Sequence, residues 1–152
     1  MAELRSVAPS VVAVHAHAEL LDALALSDAI VHRVAPDEAM VTAAPGSAAT
    51  LVTTITEAVA DDPGAVVLDA TDGWAAFSVR GPDARLALSR VSPLALPEAG
   101  TIQGDLLRLP ARIAASTDEI VVFVPAAFAV WVERKLRERC PELTRSAAEA
   151  RP

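Results

Sequence analysis

The sequence predicts an α+β fold made of two pseudo-duplicated strand-strand-helix halves, and three observations predict it. Short alternating apolar segments are interleaved with segments of helical period along 152 residues, a length that fits one domain or two small packed halves. Asp37-Glu38-Ala39-Met40-Val41 leads through a strand to Pro45 and a helix, and Asp118-Glu119-Ile120-Val121-Val122 leads the same way to Pro125 and a helix. Residues 69–90 form one cassette: an alternating strand from Trp74 to Arg80, a Gly81-Pro82 stop, then an amphipathic helix.

Residues 1–10 carry no sustained pattern and are expected to be a flexible arm. Residues 11–18 alternate Val11, Ala13, His15 and His17 against Val12, Val14, Ala16 and Ala18, which predicts a strand. The apolar stretch 20–26 suits a short helix or turn. Segments 30–34 and 39–43 flank Ala35-Pro36-Asp37-Glu38, where proline presets the turn dihedral of a hairpin. Ser47 is placed to cap a helix running to about residue 60, with Leu51, Val52, Ile55 and Val59 on one face. Within it Val52-Thr53-Thr54-Ile55-Thr56 is β-branched throughout and would also suit a strand; the length of the periodic segment favours helix.

Asp61-Asp62-Pro63-Gly64 is a breaker, after which residues 65–70 and Trp74 to Arg80 read as strands joined by Thr71-Asp72-Gly73. Pro82 suits a first helical position and Asp83 complements the helix dipole, with Ala84, Ala87, Leu88 and Val91 as the buried stripe. Residues 94–104 hold Pro97, Gly100 and Gly104 and are expected to be irregular. Segments 106–114 and 120–124 predict a second hairpin across Ser116-Thr117-Asp118. The last helix, 126–139, is expected to turn Phe128, Trp131, Val132 and Leu136 inward. The domain limits are then an arm at 1–10, one α+β domain at 11–140 and a flexible tail at 141–152. The strand-strand-helix echo is how ferredoxin-like and related pseudo-symmetric folds are assembled.

Composition narrows the function. The 53% hydrophobic content owes much to 33 alanines, while aromatics are only 3%, so each aromatic is expected to matter for packing. A net charge of −7, with no basic run, lacks the electrostatic footprint of a nucleic-acid binder. The charge-free stretch 39–56 is broken by Pro45 and Gly46, and the apolar stretch 120–132 contains Pro125, so neither is expected to span a membrane. Met1 to Pro9 includes Glu3 and Arg5 and lacks the apolar core of a secretory signal, which points to the cytoplasm. The lone Cys140 excludes an internal disulfide and reads as an incidental cysteine at a helix end.

Four stretches resemble the gamma subunit of heterotetrameric sarcosine oxidase. They are Leu68-Asp69-Ala70-Thr71-Asp72-Gly73-Trp74, Val79-Arg80-Gly81-Pro82-Asp83-Ala84-Arg85, Ser92-Pro93-Leu94-Ala95-Leu96 and Val124-Pro125-Ala126-Ala127-Phe128-Ala129-Val130-Trp131. That family is similar in fold to the folate-binding domain of aminomethyltransferases such as the glycine-cleavage T-protein. The resemblance implies an accessory piece with no catalytic residue to carry over and no cofactor bound by this chain alone. FAD, FMN, NAD and tetrahydrofolate are implied for its partners, the large flavoprotein subunits of an amine oxidase complex.

Several residues are candidates on their own chemistry. His15 and His17 share a strand face and His32 lies on a neighbouring segment; three imidazoles could hold zinc, but no carboxylate or cysteine shares the spacing, and a wet strand face accounts for them. Asp69 and Asp72 flank a turn beside Trp74, where paired carboxylates could bind a ring amine and the indole could stack on a flat ligand. The plainer account makes Asp72-Gly73 a turn pair and Asp69 a strand-end residue. Arg80 and Arg85 bracket a helix start, where they could bind an anion or form surface ion pairs. Two functions remain open: a non-catalytic accessory subunit, or a binder of a folate-like one-carbon carrier lined by Asp72, Trp74 and an arginine.

Overall fold

The computed structural model describes residues 1–145. Of the flexible tail expected at 141–152, Leu143–Arg145 is instead a strand paired with the chain's start, and residues 146–152 lie outside the described residues. The described residues form two compact units, Ala8–Asp72, and Met1–Val7 together with residues 73–145. The expectation of a single domain over 11–140 thus resolves into two units, the second of them discontinuous in sequence.

In the first unit, β2 (Ser10–His15), β3 (Ala29–Ala35), β4 (Glu38–Ala43) and β5 (Val66–Asp69) form a sheet in the order β3-β4-β2-β5, with every neighbouring pair antiparallel. Helices α1 (Ala18–Asp22) and α2 (Ala48–Ala58) connect the strands into the β-α-β-β-α-β arrangement of a ferredoxin-like half. Val12, Val14, Ala39, Val41, Leu21, Leu51, Ile55 and Val59 make its core. The β-branched run in α2 stays helical because Leu51, Ile55 and Val59 pack into the core at helical spacing, while the exposed Thr53 and Thr56 donate their hydroxyls to the carbonyls of Ala49 and Val52, 3.1 and 2.6 Å away. Ser47 precedes α2 without capping it: its hydroxyl turns back to the Ala44 carbonyl at 2.6 Å.

In the second unit, β1 (Ala2–Val7), β6 (Trp74–Arg80), β7 (Gly100–Leu106), β8 (Leu109–Ala115), β9 (Glu119–Pro125) and β10 (Leu143–Arg145) form a sheet in the order β10-β1-β6-β9-β8-β7. With α3 (Ala84–Ser89) and α4 (Ala129–Arg139), strands β6, β8, β9 and β10 repeat the first unit's scheme, and β1 is inserted between the last strand and the first. The sequence echo falls on equivalent elements: Glu38 opens β4 and Glu119 opens β9, each the third strand of its half. Phe77, Val79, Ala87, Leu88, Ile113, Ile120, Val122, Val132 and Leu136 fill this unit's core.

Four expectations change here. Residues 1–10 are no loose arm: Ala2 and Leu4 are fully buried and β1 pairs antiparallel with β6. Of the stretch 94–104 expected to be irregular, residues 100–104 belong to an edge strand, Gly100–Leu106, paired along its length with β8. The β7-β8 hairpin closes on Leu107 and Arg108, at φ 54 and 66, the conformation that two-residue hairpin loops usually give to Asn-Gly. Leu107 accepts it because its side chain is buried and its N–H donates to the Val91 carbonyl at 2.8 Å. Pro82 and Asp83 precede α3 rather than opening it, and Phe128 closes a short 3-10 turn, Ala126–Phe128, ahead of α4.

The Gly81-Pro82 stop has a specific geometry. Gly81 sits at φ +107, and a Cβ there would lie 2.9 Å from the Met1 carbonyl oxygen. Only glycine lets the chain leave β6 this close to β1.

Candidate functional site

The face of the second unit's sheet that turns away from that unit's own core carries the most chemistry, although Ala76, Ser78 and Phe123 on it are buried. In β6, Phe77 and Val79 point into the core, so Trp74, Ala76, Ser78 and Arg80 point the other way. Register places Pro125, Phe123, Val121 and Glu119 of β9 opposite them, and Arg112 of β8 opposite Phe123. Arg112 therefore lies diagonally across β9 from Trp74, and its guanidinium carbon sits 4.8 Å from the indole centroid. This is a cation–π stack.

Around the pair runs a groove of about 310 Å³ lined by Trp74, Gln103, Gly104, Asp105, Pro110, Ala111 and Arg112. Gly104 narrows the strand beneath it, because a Cβ there would lie 2.6 Å from a Leu94 methyl. The lining contains no serine, cysteine, histidine or lysine. An indole, a guanidinium and an amide can hold a flat, carboxylate-bearing molecule by stacking and ion pairing, with the Asp105 carboxylate in the same lining opposing an anion and favouring a ligand that also carries N–H donors. They offer no activated nucleophile.

At the far end of the same strands, Arg80 donates to Glu119 at 3.0 Å and the Ser78 hydroxyl also donates to Glu119. Burial alone would raise the Glu119 carboxyl, but the bonds from Arg80 and Ser78 outweigh it and hold the group below its ordinary range. The equivalent pairing in the first unit sets His15 on β2 across from Glu38 on β4, with the imidazole 3.8 Å from Asp37. The pseudo-repeat thus places charged side chains at matching registers in both halves.

The sequence candidates scatter over both units. Asp72 lies in an exposed 3-10 turn, Thr71–Gly73, at the end of the first unit. Asp69 accepts the Thr71 N–H at 3.0 Å, and its hydrogen bonds from Thr71 hold its carboxyl below the ordinary range. Thr71 in turn accepts the Val11 N–H at 3.0 Å, so this acidic turn is built as an anchor to β2. Arg80 and Arg85 do not converge: Arg80 is on the sheet, while Arg85 donates to the carbonyls of Leu96, Pro97 and Glu98 at 3.2, 2.8 and 3.0 Å. Arg85 therefore holds the 94–99 segment.

The three histidines also separate. His17 lies beyond the end of β2 and is 3.8 Å from Asp62; His32 is buried with Nε2 2.8 Å from the Thr42 hydroxyl. Among the described residues no group of three His, Cys, Asp or Glu is placed to hold a metal ion. Cys140 ends α4, buried, with its thiol donating to the Ala87 carbonyl at 3.1 Å, and burial pushes its pKa up to about 11. Among the described residues no helix is long and apolar enough to cross a membrane.

Two residues that carry local structure or chemistry were not visible in the sequence. Asp62, read there as part of a breaker, is buried and accepts the N–H groups of His17 and Gly64 at 2.8 Å each. The backbone bond from Gly64 is the main reason its carboxyl is held below the ordinary range. Arg112 had no motif to mark it; only the β8-β9-β6 register aims it at Trp74.

No family model matches the chain, and no curated protein matches it in sequence. Solved structures do match. A chain of heterotetrameric sarcosine oxidase from Corynebacterium sp. U-96, solved with pyrrole 2-carboxylate, aligns at TM-score 0.80 and 20% identity over 93% of this chain and 84% of that one. Glycine cleavage system aminomethyltransferase T from Bartonella henselae aligns at TM-score 0.73 and 17% identity, over 95% of this chain but only 47% of the aminomethyltransferase. At these identities the likeness shows the fold: an α+β arrangement shared with a sarcosine oxidase subunit and with about half of an aminomethyltransferase.

Proposed function

We propose that this chain is a non-catalytic, gamma-like accessory subunit of a bacterial, cytoplasmic, heteromeric amine oxidoreductase of the sarcosine oxidase type. The observation that carries the reading is the mutual coverage of 93% and 84% with one chain of a heterotetrameric sarcosine oxidase. Coverage that high on both sides means chains of similar length, so the match is with a small subunit and not with a domain of a large one. The groove at Trp74 presents an indole, a guanidinium and an amide, groups suited to binding. On this reading the large subunits hold FAD, FMN, NAD and tetrahydrofolate, and this chain stabilises them by binding their folded state.

The test is co-expression with the proteins encoded beside it, followed by affinity purification of this chain. A yellow, flavin-containing complex of defined stoichiometry is expected. Recovery of this chain alone, with flavin enzyme activity intact in its absence, overturns the reading.

A second reading has one specific observation in its favour: the Trp74-Arg112 stack in its groove suits a flat anionic ring system such as a folate-like carrier. Titration calorimetry with tetrahydrofolate checks it. Heat released by the wild-type chain and lost in Trp74→Ala supports binding, and no heat across several temperatures removes it.

A further inference from the structure

We propose that the outer face of α4 is the surface by which this chain docks on the large flavoprotein subunit, and that the face it meets there is apolar with an acidic rim. The inference rests on the accessory-subunit reading and adds where the contact is made. Helix α4 buries Val132 and Leu136 in the core of its unit. On its other side the sequence expectation of inward-facing aromatics fails: Phe128 is 44% exposed, Trp131 36% and Val130 84%. The chain has only five aromatic residues, and two of them, Phe128 just ahead of this helix and Trp131 in its first turn, are left partly exposed. Exposed large apolar groups clustered this way mark interaction surfaces, and Trp and Arg dominate the energetic centres of such surfaces.

The charges define the partner. Val130 continues into a shallow groove of about 410 Å³ lined by Glu133, Arg134, Arg137 and Glu138. Helix α4 carries Arg134, Lys135, Arg137 and Arg139 against Glu133 and Glu138, four cations to two anions, whereas the whole chain is at −7. Arg137 already holds Glu133 at 2.8 Å and Lys135 holds Glu138 at 2.6 Å, whereas Arg134, 64% exposed, shares the groove with Val130 and stands 3.8 Å from Glu138, placed to meet a carboxylate on a partner. A second copy fits poorly, because a two-fold contact would set this cation-rich face against itself.

The test uses the purified complex of this chain with its flavoprotein subunits. Val130→Glu puts a carboxylate on a side chain that has almost no packing to lose, so the fold should survive, as circular dichroism would show. It should weaken association at least 100-fold, and Trp131→Ala at least 10-fold. Arg134→Glu should weaken it about 10-fold at low salt and less at high salt. Leu68→Glu, on an exposed apolar position of the other unit, should change it by less than 3-fold.

A wild-type complex that Val130→Glu leaves within 3-fold overturns the docking face but not the accessory-subunit reading. Failure of the wild-type chain to bind any flavoprotein overturns both. Sedimentation of the isolated chain gives the remaining outcome: a dimer dissolved by Val130→Glu would make a second copy the occupant and overturn the proposal.

Discussion

Replacing Gly81 by alanine tests the geometry at the cassette's stop, and Gly100 supplies an internal control. Both glycines sit at similar strained dihedrals, φ +107 and +114, in the same unit. A Cβ at Gly100 meets nothing within 4 Å, whereas one at Gly81 lies 2.9 Å from the Met1 carbonyl oxygen and 3.3 Å from the Ala2 Cα. The backbone strain of a non-glycine residue in such a region costs about 1–3 kcal/mol, and both variants should lose that much. The collision at Gly81 is with backbone, and β1 has little room to yield because it is paired on both sides, with β6 and β10. Overpacking of this kind adds about 1–3 kcal/mol, so Gly81→Ala should exceed Gly100→Ala by at least ~1 kcal/mol. Urea unfolding followed by tryptophan fluorescence reads the right unit, since Trp74 and Trp131 both belong to it. At a slope of about 1–3 kcal/mol per molar urea, the two midpoints should differ by roughly 0.3–1 M. Equal midpoints would refute the close approach of β1, and a neutral Gly81→Ala would refute the dihedral itself.

Three further outcomes are expected. Arg108→Gly should raise stability by about 0.5–1 kcal/mol in the same urea assay, because exposed Arg108 is held at φ 66 and glycine relieves that strain at a modest entropic cost. Cys140, with its pKa pushed to about 11 by burial, should react with iodoacetamide at pH 8 at least about 200-fold more slowly than an exposed thiol of pKa about 8.5, and normally in denaturant. Glu119→Gln should be less stable than wild type at pH 7. Because the folded carboxyl is held low, the stability it contributes is complete above the unfolded value of about 4.3 and disappears as pH falls through the folded value. The two proteins' thermal midpoints should therefore converge in acid; a gap that stays constant to pH 2 would remove Glu119 from the pH dependence.

The cassette from Asp69 to Arg90 shows how far local pattern reaches. The strand Trp74–Arg80 appears with the limits its alternation predicts, and α3 buries Ala84, Ala87 and Leu88 as the helical period requires. Its charged residues were less legible. Asp69 and Arg85 end on neighbouring backbone, and Arg80 reaches a glutamate 39 positions away. The guanidinium that stacks on Trp74 comes from Arg112 of β8, two strands away in the sheet.

The elements missed in the sequence share one property. Strands β1, β7 and β10 have weak alternation of their own, and the sheet supplies their order: β1 is held between β6 and β10, and β7 follows β8 residue for residue. Long-range pairing provides hydrogen bonds that no local window contains, so propensity yields to register. The aromatics of α4 erred in the opposite direction. A helical period predicts one apolar face, but Phe128 belongs to the 3-10 turn ahead of the helix, and the short stripe of Val132 and Leu136 already faces the core.

The sequence by itself determined the fold class, the pseudo-duplication and most helices and hairpins, because these depend on period, turn chemistry and proline and glycine placement within a few residues. Only the tertiary structure decided which polar side chains meet and which apolar ones stay in water, because both depend on strand order and on what already fills each core.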